Sequence, residues 1–240
     1  MTEQALAGRI AAVQDQIAAA AARAGRSADA LTLVAVSKQM PAATIEAAWH
    51  AGLRHFGENR SAELAEKGLH LAHLPDLHWH MIGPLQSRQT APIVAHAAAF
   101  HALERLRIAQ RLSRQLEEAG RTLPVFIEVN VSGEASKSGF SADLWEQESQ
   151  QRDALLETCT AIAALPCLAV QGLMTMAPWD VPESTIRATF RRTRELAAWL
   201  GERIKIGRWD QLSMGMTDDF PLAIAEGATH LRIGRAIFQP

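Results

Sequence analysis

Eight short apolar runs alternate with stretches of helical periodicity, and that alternation restricts the fold more than any other feature of the chain. The runs cover residues 31–39, 53–56, 78–82, 98–101, 124–131, 168–174, 209–213 and 229–233. Helical patterns are expected at 2–25, 41–51, from about 60 to 68, and at 86–97, 104–120, 143–164, 184–205 and 217–227. The first helix, with Leu6, Ile10, Val13 and Ile17 on one face, precedes the first strand and is an added element. This count and length fit a single (β/α)8 TIM barrel over residues 1–240, with 1–30 as N-terminal helix and lead-in. An open doubly wound sheet is the alternative. It would usually carry GxGxxG after the first strand, where this chain has SKQMP.

The first run, LTLVAVSKQ, ends at Lys38. An unbroken apolar stretch fits a strand buried on both faces, and the carboxyl ends of barrel strands form the active-site mouth. A lysine there, backed by apolar wall, is expected to be partly desolvated and able to act as a nucleophile. The plainer reading is a solvated strand-end lysine. The other lysines look worse placed: Lys67 and Lys205 fall near helix ends, and Lys137 belongs to the polar loop SGEASKSG as a mobile charge.

Around the same mouth the strand ends bring Asn59, His80, Gly83, Asn130, Met174, Ser213, Gly215, Thr217, Arg232, Gly234 and Arg235. Barrels commonly bind phosphate with the loops after the last two strands, and SMGMT and RIGR supply hydroxyls and glycines there. The bland alternative makes Gly215 and Gly234 turn glycines and Thr217 a helix N-cap. A reactive lysine facing a phosphate site suits a phosphorylated aldehyde or ketone held as a Schiff base. Pyridoxal 5′-phosphate (PLP) and aldolase-type sugar phosphates both meet that description.

Several segments are shared with one family: VAVSKQ, HFGEN, HWHMIGPLQS, EVNVSGEASKSG, GLMTM, LSMGMTDDF and RIGRAIF. Through them the chain resembles the YggS/PROSC family of PLP homeostasis proteins over essentially its whole length. These proteins are single barrels similar to the barrel domain of alanine racemase. The resemblance implies Lys38 as the Schiff-base lysine and Arg232 at the pyridine nitrogen. It places Ser213, Gly234 and the backbone of Arg235 at the phosphate, and Asn59 and Met174 beside the ring. The chain departs from the family at Arg235, where a hydroxyl residue is usual, at Gln239, and at Arg60, where an aromatic is frequent.

The resemblance further implies a protein that holds PLP and passes it on, with apo PLP-dependent enzymes as partners and without robust turnover. A PLP-dependent racemase is the alternative. Such an enzyme needs a tyrosine from a second domain or subunit, and this chain has no tyrosine and no stretch set aside for that domain. A metal hydrolase rests only on His78 and His80, which are expected to pack or line the ring. The four methionines Met174, Met176, Met214 and Met216 are expected to line the cavity.

A net charge of −2 without a basic stripe argues against nucleic acid. No apolar run approaches the roughly 20 residues of a membrane span, and the N-terminus lacks a signal-peptide core, so a cytoplasmic location is expected. A monomer is the expected state. Cys159 and Cys167 form no CxxC and are read as reduced thiols.

Overall fold

The computed structural model describes residues 2–239. The first five strands are β1 (Thr32–Val36), β2 (His55–Glu58), β3 (His78–Met81), β4 (Ala97–Leu103) and β5 (Leu123–Asn130). A two-residue strand, β6 (Phe140–Ser141), pairs only with the end of β5. Then come β7 (Leu168–Met174), β8 (Gln211–Ser213) and β9 (His230–Ile233). Leaving β6 aside, the other eight are all parallel and follow one another around a closed ring. The seam joins the first strand to the last, with Val34 opposite Arg232 and Ala35 opposite Ile233. This is the expected TIM barrel.

Helix α1 (Glu3–Arg23) begins on Thr2, whose hydroxyl accepts the Ala5 N–H at 3.2 Å. The side chains of Leu6, Ile10, Val13 and Ile17 are all buried, each worth about 1.5–3 kcal/mol. They pack α1 against α2 (Ala42–His50) and later helices. A charge at Ile10 would break that face. The outer ring continues through α3 (Ser61–His70), α4 (Ala91–His96), α5 (Leu106–Glu118), α6 (Ser149–Ala163), α7 (Glu183–Arg203), α8 (Phe220–Ala225) and α9 (Arg235–Phe238). No helix among the described residues is long and apolar enough to cross a membrane.

The main apolar core lies between the barrel wall and the helices, where Ala35, Phe56, Met81 and Leu103 are fully buried. The lumen is different. Side chains alternate across each strand, so the set that includes Val34 faces inward with its register partner Arg232. That interior holds His80, His101, Ser213 and Arg232, all buried.

Several boundaries move. The helix expected from 143 begins only at Ser149. The Gln151 side chain bonds both the Leu144 N–H and Asp143, and Arg192 holds the Asp143 carbonyl at 2.6 Å, which fixes the preceding residues as turns. Thr217 is not an N-cap. Asp219 takes that position, its carboxylate accepting the Met216 N–H at 2.6 Å, and Pro221 sits in the first turn of α8. Helix α9 and strand β6 were not expected, being too short to carry a period.

Candidate functional site

Lys38 lies two residues past β1 and is exposed, which corrects the expectation of a partly desolvated amine. Ser37 keeps the outward direction of Ala35, and its hydroxyl donates to Glu58 at 2.6 Å beneath α3. Lys38 follows in the turn that leaves the strand at the mouth. Gln39 then sits in the left-handed region, φ 63°, a conformation uncommon for a residue with a side chain.

The buried lysine is Lys67, on α3, which the sequence reading set aside as lying near a helix end. Its ammonium donates to the Ser37 carbonyl at 2.9 Å, to Glu58 at 2.8 Å and to Glu63 at 3.2 Å. Glu63 also accepts the Gln39 N–H at 2.8 Å. One cluster thus grips the residue before Lys38 and the residue after it. Burial pushes the Glu58 carboxyl up against the opposing pull of Lys67 and Ser37. Glu63, more exposed, is held below its ordinary range. Burial would raise it, but the Gln39 N–H and Lys67 outweigh that. The one trace of this cluster in the sequence is the four-residue spacing of Glu63 and Lys67.

The floor of the mouth is Arg232, buried inside the barrel. It donates to the Ser213 hydroxyl at 2.6 Å and to the Thr175 carbonyl at 2.9 Å. Burial lowers its pKa to about 10, and Glu128 and Asp219 partly oppose that. Among the described residues no carboxylate forms an ion pair with it. The Ser213 hydroxyl also meets His101 Nδ1 at 2.7 Å, so it is turned down into the lumen and away from an anion at the mouth. That placement departs from the expected phosphate contact through its side chain.

Glu128, opposite Met174 in the register, is buried with Oε2 unpartnered. Burial raises its pKa to about 7, the Glu104 charge adds to the rise, and Arg232 opposes it. The folded chain therefore holds a proton that the unfolded chain releases near pH 4.5, so stability falls as pH rises from there through about 7. Glu128→Gln should accordingly raise the melting temperature at pH 8, by the equivalent of on the order of 2 kcal/mol, and change little at pH 4. Equal effects at both pH values would disprove the assignment.

Met174 is buried at the end of β7, and Asn59 is exposed just past β2. The loop after β3 presses on Asn59 so closely that a Cβ on Gly83 would lie 2.2 Å from the Asn59 carbonyl oxygen. Gly215 adopts φ 96°, and its carbonyl accepts the Arg232 N–H at 2.9 Å. Gly234 caps α9, where a Cβ would approach the Val36 carbonyl to 3.1 Å. The first N–H groups of a helix have no intrahelical partner, so this end of the barrel can face an anion. The Arg235 side chain points elsewhere: it pairs with Asp218 and lies 5.2 Å from the centroid of Trp179.

Asn130 fastens the loop after β5 by accepting from Ser132 and Gly133 and donating to the Glu134 carbonyl at 2.9 Å. Lys137 is not a loose charge: it donates to the Ala177 carbonyl at 2.8 Å across the rim. His78 is exposed, while His80 lies buried in the lumen. Among the described residues no three His, Cys, Asp or Glu side chains are grouped to hold a metal ion.

The model of one family, described as the N-terminal domain of alanine racemase, matches residues 9–240. The pyridoxal phosphate homeostasis protein of Pseudomonas aeruginosa is 45% identical over 233 residues, covering 97% of this chain and 94% of that one. Its Escherichia coli K12 namesake is 42% identical over 236 residues, covering 97% and 95%. PipY of Synechococcus elongatus, solved with PLP bound, superposes with a TM-score of 0.82 at 35% identity over 97% of this chain and 99% of PipY. The alanine racemase of Corynebacterium glutamicum shares the fold, with a TM-score of 0.64 at 19% identity over 99% of this chain and 61% of the racemase.

Proposed function

The chain belongs to the alanine racemase N-terminal domain family and, within it, to the pyridoxal phosphate homeostasis proteins, and from that premise we propose that its barrel mouth holds PLP at Lys38 and hands it on. It binds PLP and serves PLP homeostasis. Bound PLP supplies an aldehyde able to condense with a lysine amine, a basic ring nitrogen and a phosphate.

The observation that carries the site assignment is Arg232: a buried guanidinium at the floor of the mouth, held by a hydroxyl and a carbonyl and free of any ion-paired carboxylate. Such a group donates and cannot accept, so it suits an unprotonated ring nitrogen. The unpartnered Oε2 of Glu128 and the helix start at Gly234 fit the same occupant. Lys38 is the amine, with its turn clamped by Lys67 and Glu63. Asn59 and Met174 border the ring. Gly234 and the backbone of Arg235 hold the phosphate, and Ser213 contributes by fixing Arg232 from below.

Holding without turnover is favoured by the lack of any tyrosine to serve as the second base of a racemase. The proposal extends to a cytoplasmic monomer that delivers PLP to apo enzymes. Mixing the loaded protein with an apo PLP enzyme tests it. Cofactor absorbance should leave this chain and activity should appear in the recipient, whereas a recipient that stays apo would end the delivery role.

The phosphate end has its own test. Gly234→Val brings a branched side chain against the Val36 carbonyl, 3.1 Å from where its Cβ would start. A hydrogen bond to a charged oxygen is worth about 1.5–3 kcal/mol. The variant should lose roughly 10- to 100-fold in PLP affinity and far less for pyridoxal, which lacks the phosphate. Equal losses for the two ligands would remove Gly234 from the assignment.

A further inference from the structure

A row of side chains crosses the lumen from the mouth to the opposite end. Arg232 Nη1 donates to Ser213 Oγ at 2.6 Å, and Ser213 Oγ meets His101 Nδ1 at 2.7 Å. His101 Nε2 meets His80 Nδ1 at 2.9 Å, and His80 Nε2 meets His55 Nδ1 at 3.0 Å. His55 then lines a cavity of about 260 Å³ at the amino ends of the strands, together with His78, Gln171, Arg208, Gln211 and His230.

The direction of these bonds follows from one member. Arginine has only donors, so the Ser213 oxygen accepts, and the hydroxyl's own hydrogen has His101 Nδ1 as its acceptor among the described residues. His101 must then carry its proton on Nε2 and give it to His80 Nδ1. His80 must carry its own on Nε2 and give it to His55 Nδ1. All three rings are neutral with Nε2–H, head to tail.

We propose that this row is a proton-binding site wired through the barrel: a proton taken up under the mouth at Ser213 is stored at His55, beside the amino-end cavity. The balance is one proton gained. Ser213 Oγ receives it from the mouth and passes its own hydrogen to His101 Nδ1. His101 gives its Nε2 proton to His80 Nδ1, and His80 gives its Nε2 proton to His55 Nδ1. His55 is then doubly protonated and its Nδ1–H donates to His80 Nε2, while His80 and His101 are neutral with Nδ1–H. The hydroxyl, facing a donor where it had an acceptor, turns its new hydrogen toward the mouth, while Arg232 still donates to the same oxygen.

Groups facing the row set where this happens. His55 sees His78 stacked at 4.9 Å and His80 from β3, and Arg208 lies across the cavity, paired with Asp210. His80 sees His55, His230 and His78, His101 sees His80 and, from β9, His230 and Arg232, and Arg232 in turn feels Glu128 and Asp219. Burial foremost, and then the neighbouring imidazoles, lowers His55, His80 and His101, so uptake falls on the acid side of the ordinary histidine range.

The test reads the rings themselves and does not depend on what the mouth holds. In the full chain labelled with ring-15N histidine and without added cofactor, His55, His80 and His101 should all show Nε2–H at neutral pH. On acidification, His80 and His101 should exchange Nε2–H for Nδ1–H over the same pH span in which His55 gains its second proton. Either ring found as Nδ1–H at neutral pH, or a His101 unmoved while His55 titrates, overturns the proposal. In His80→Phe, His55 should still titrate while His101 keeps Nε2–H, and a His101 that still exchanges overturns it equally. If that variant does not fold, Ser213→Ala serves. With the pin at Arg232 removed, His101 and His80 should show mixed tautomers at neutral pH, and unchanged tautomers would refute the wiring.

Discussion

Lys38→Ala should leave a folded chain on which borohydride fixes no PLP, where the parent chain is labelled at a single lysine. Position carries this expectation, since the amine is exposed at the mouth and the buried alternative is unsuited. Lys67 is committed to a carbonyl and two carboxylates, and Lys137 to the Ala177 carbonyl. Lys38 makes none of these bonds, and its neighbours on both sides are clamped, so it is held in place with its ammonium uncommitted. Residual, reversible PLP binding through the phosphate end is expected in the variant. Peptide mapping that finds the label on Lys67 or Lys137 in the parent chain would overturn the site at its centre.

The second large effect is on stability. Lys67→Met should cost about 3–5 kcal/mol in urea unfolding, because it strands the Glu58 carboxylate at zero exposure with one hydroxyl for company. It should also slow fixation at Lys38, since the Ser37 carbonyl loses its donor and Glu63, which accepts the Gln39 N–H, loses its ion pair. Removing the stranded charge as well, in Lys67→Met with Glu58→Gln, should recover a large part of the loss. A cost below about 1 kcal/mol for the single variant would show that Glu58 simply takes up a proton, as its raised pKa permits.

The barrel was legible because strand and helix periods survive in sequence: the 168–174 run coincides with β7, and the helix of Leu6, Ile10, Val13 and Ile17 buries the face its spacing predicts. The glycines at two strand ends were legible too, since Gly215 and Gly234 follow β8 and β9 as the runs predict. The clamp on Lys38 was not. It joins Ser37, Glu58 and Lys67 from three elements, and no local period records which lysine a neighbouring strand will cover. Ser213 shows the same limit. Its place at a strand end was readable, but whether its hydroxyl faces the mouth or the lumen depends on His101, 112 residues away.

The seam between β1 and β9 fixes when the site can exist. Lys38 follows β1 and Arg232 lies on β9, so the two groups come from opposite ends of the chain and meet only when the ring shuts. During synthesis the amino-terminal strands emerge first and wait, while α1 lacks the late helices α8 and α9 that cover it. The Arg26 guanidinium, bonded to the Ile224 carbonyl at 2.8 Å, likewise reaches across 198 residues. A ribosome-bound intermediate halted before His230 has Lys38 but neither Arg232 nor Gly234. If Lys38 and Arg232 share the proposed site, the nascent chain holds no PLP until β9 has been made.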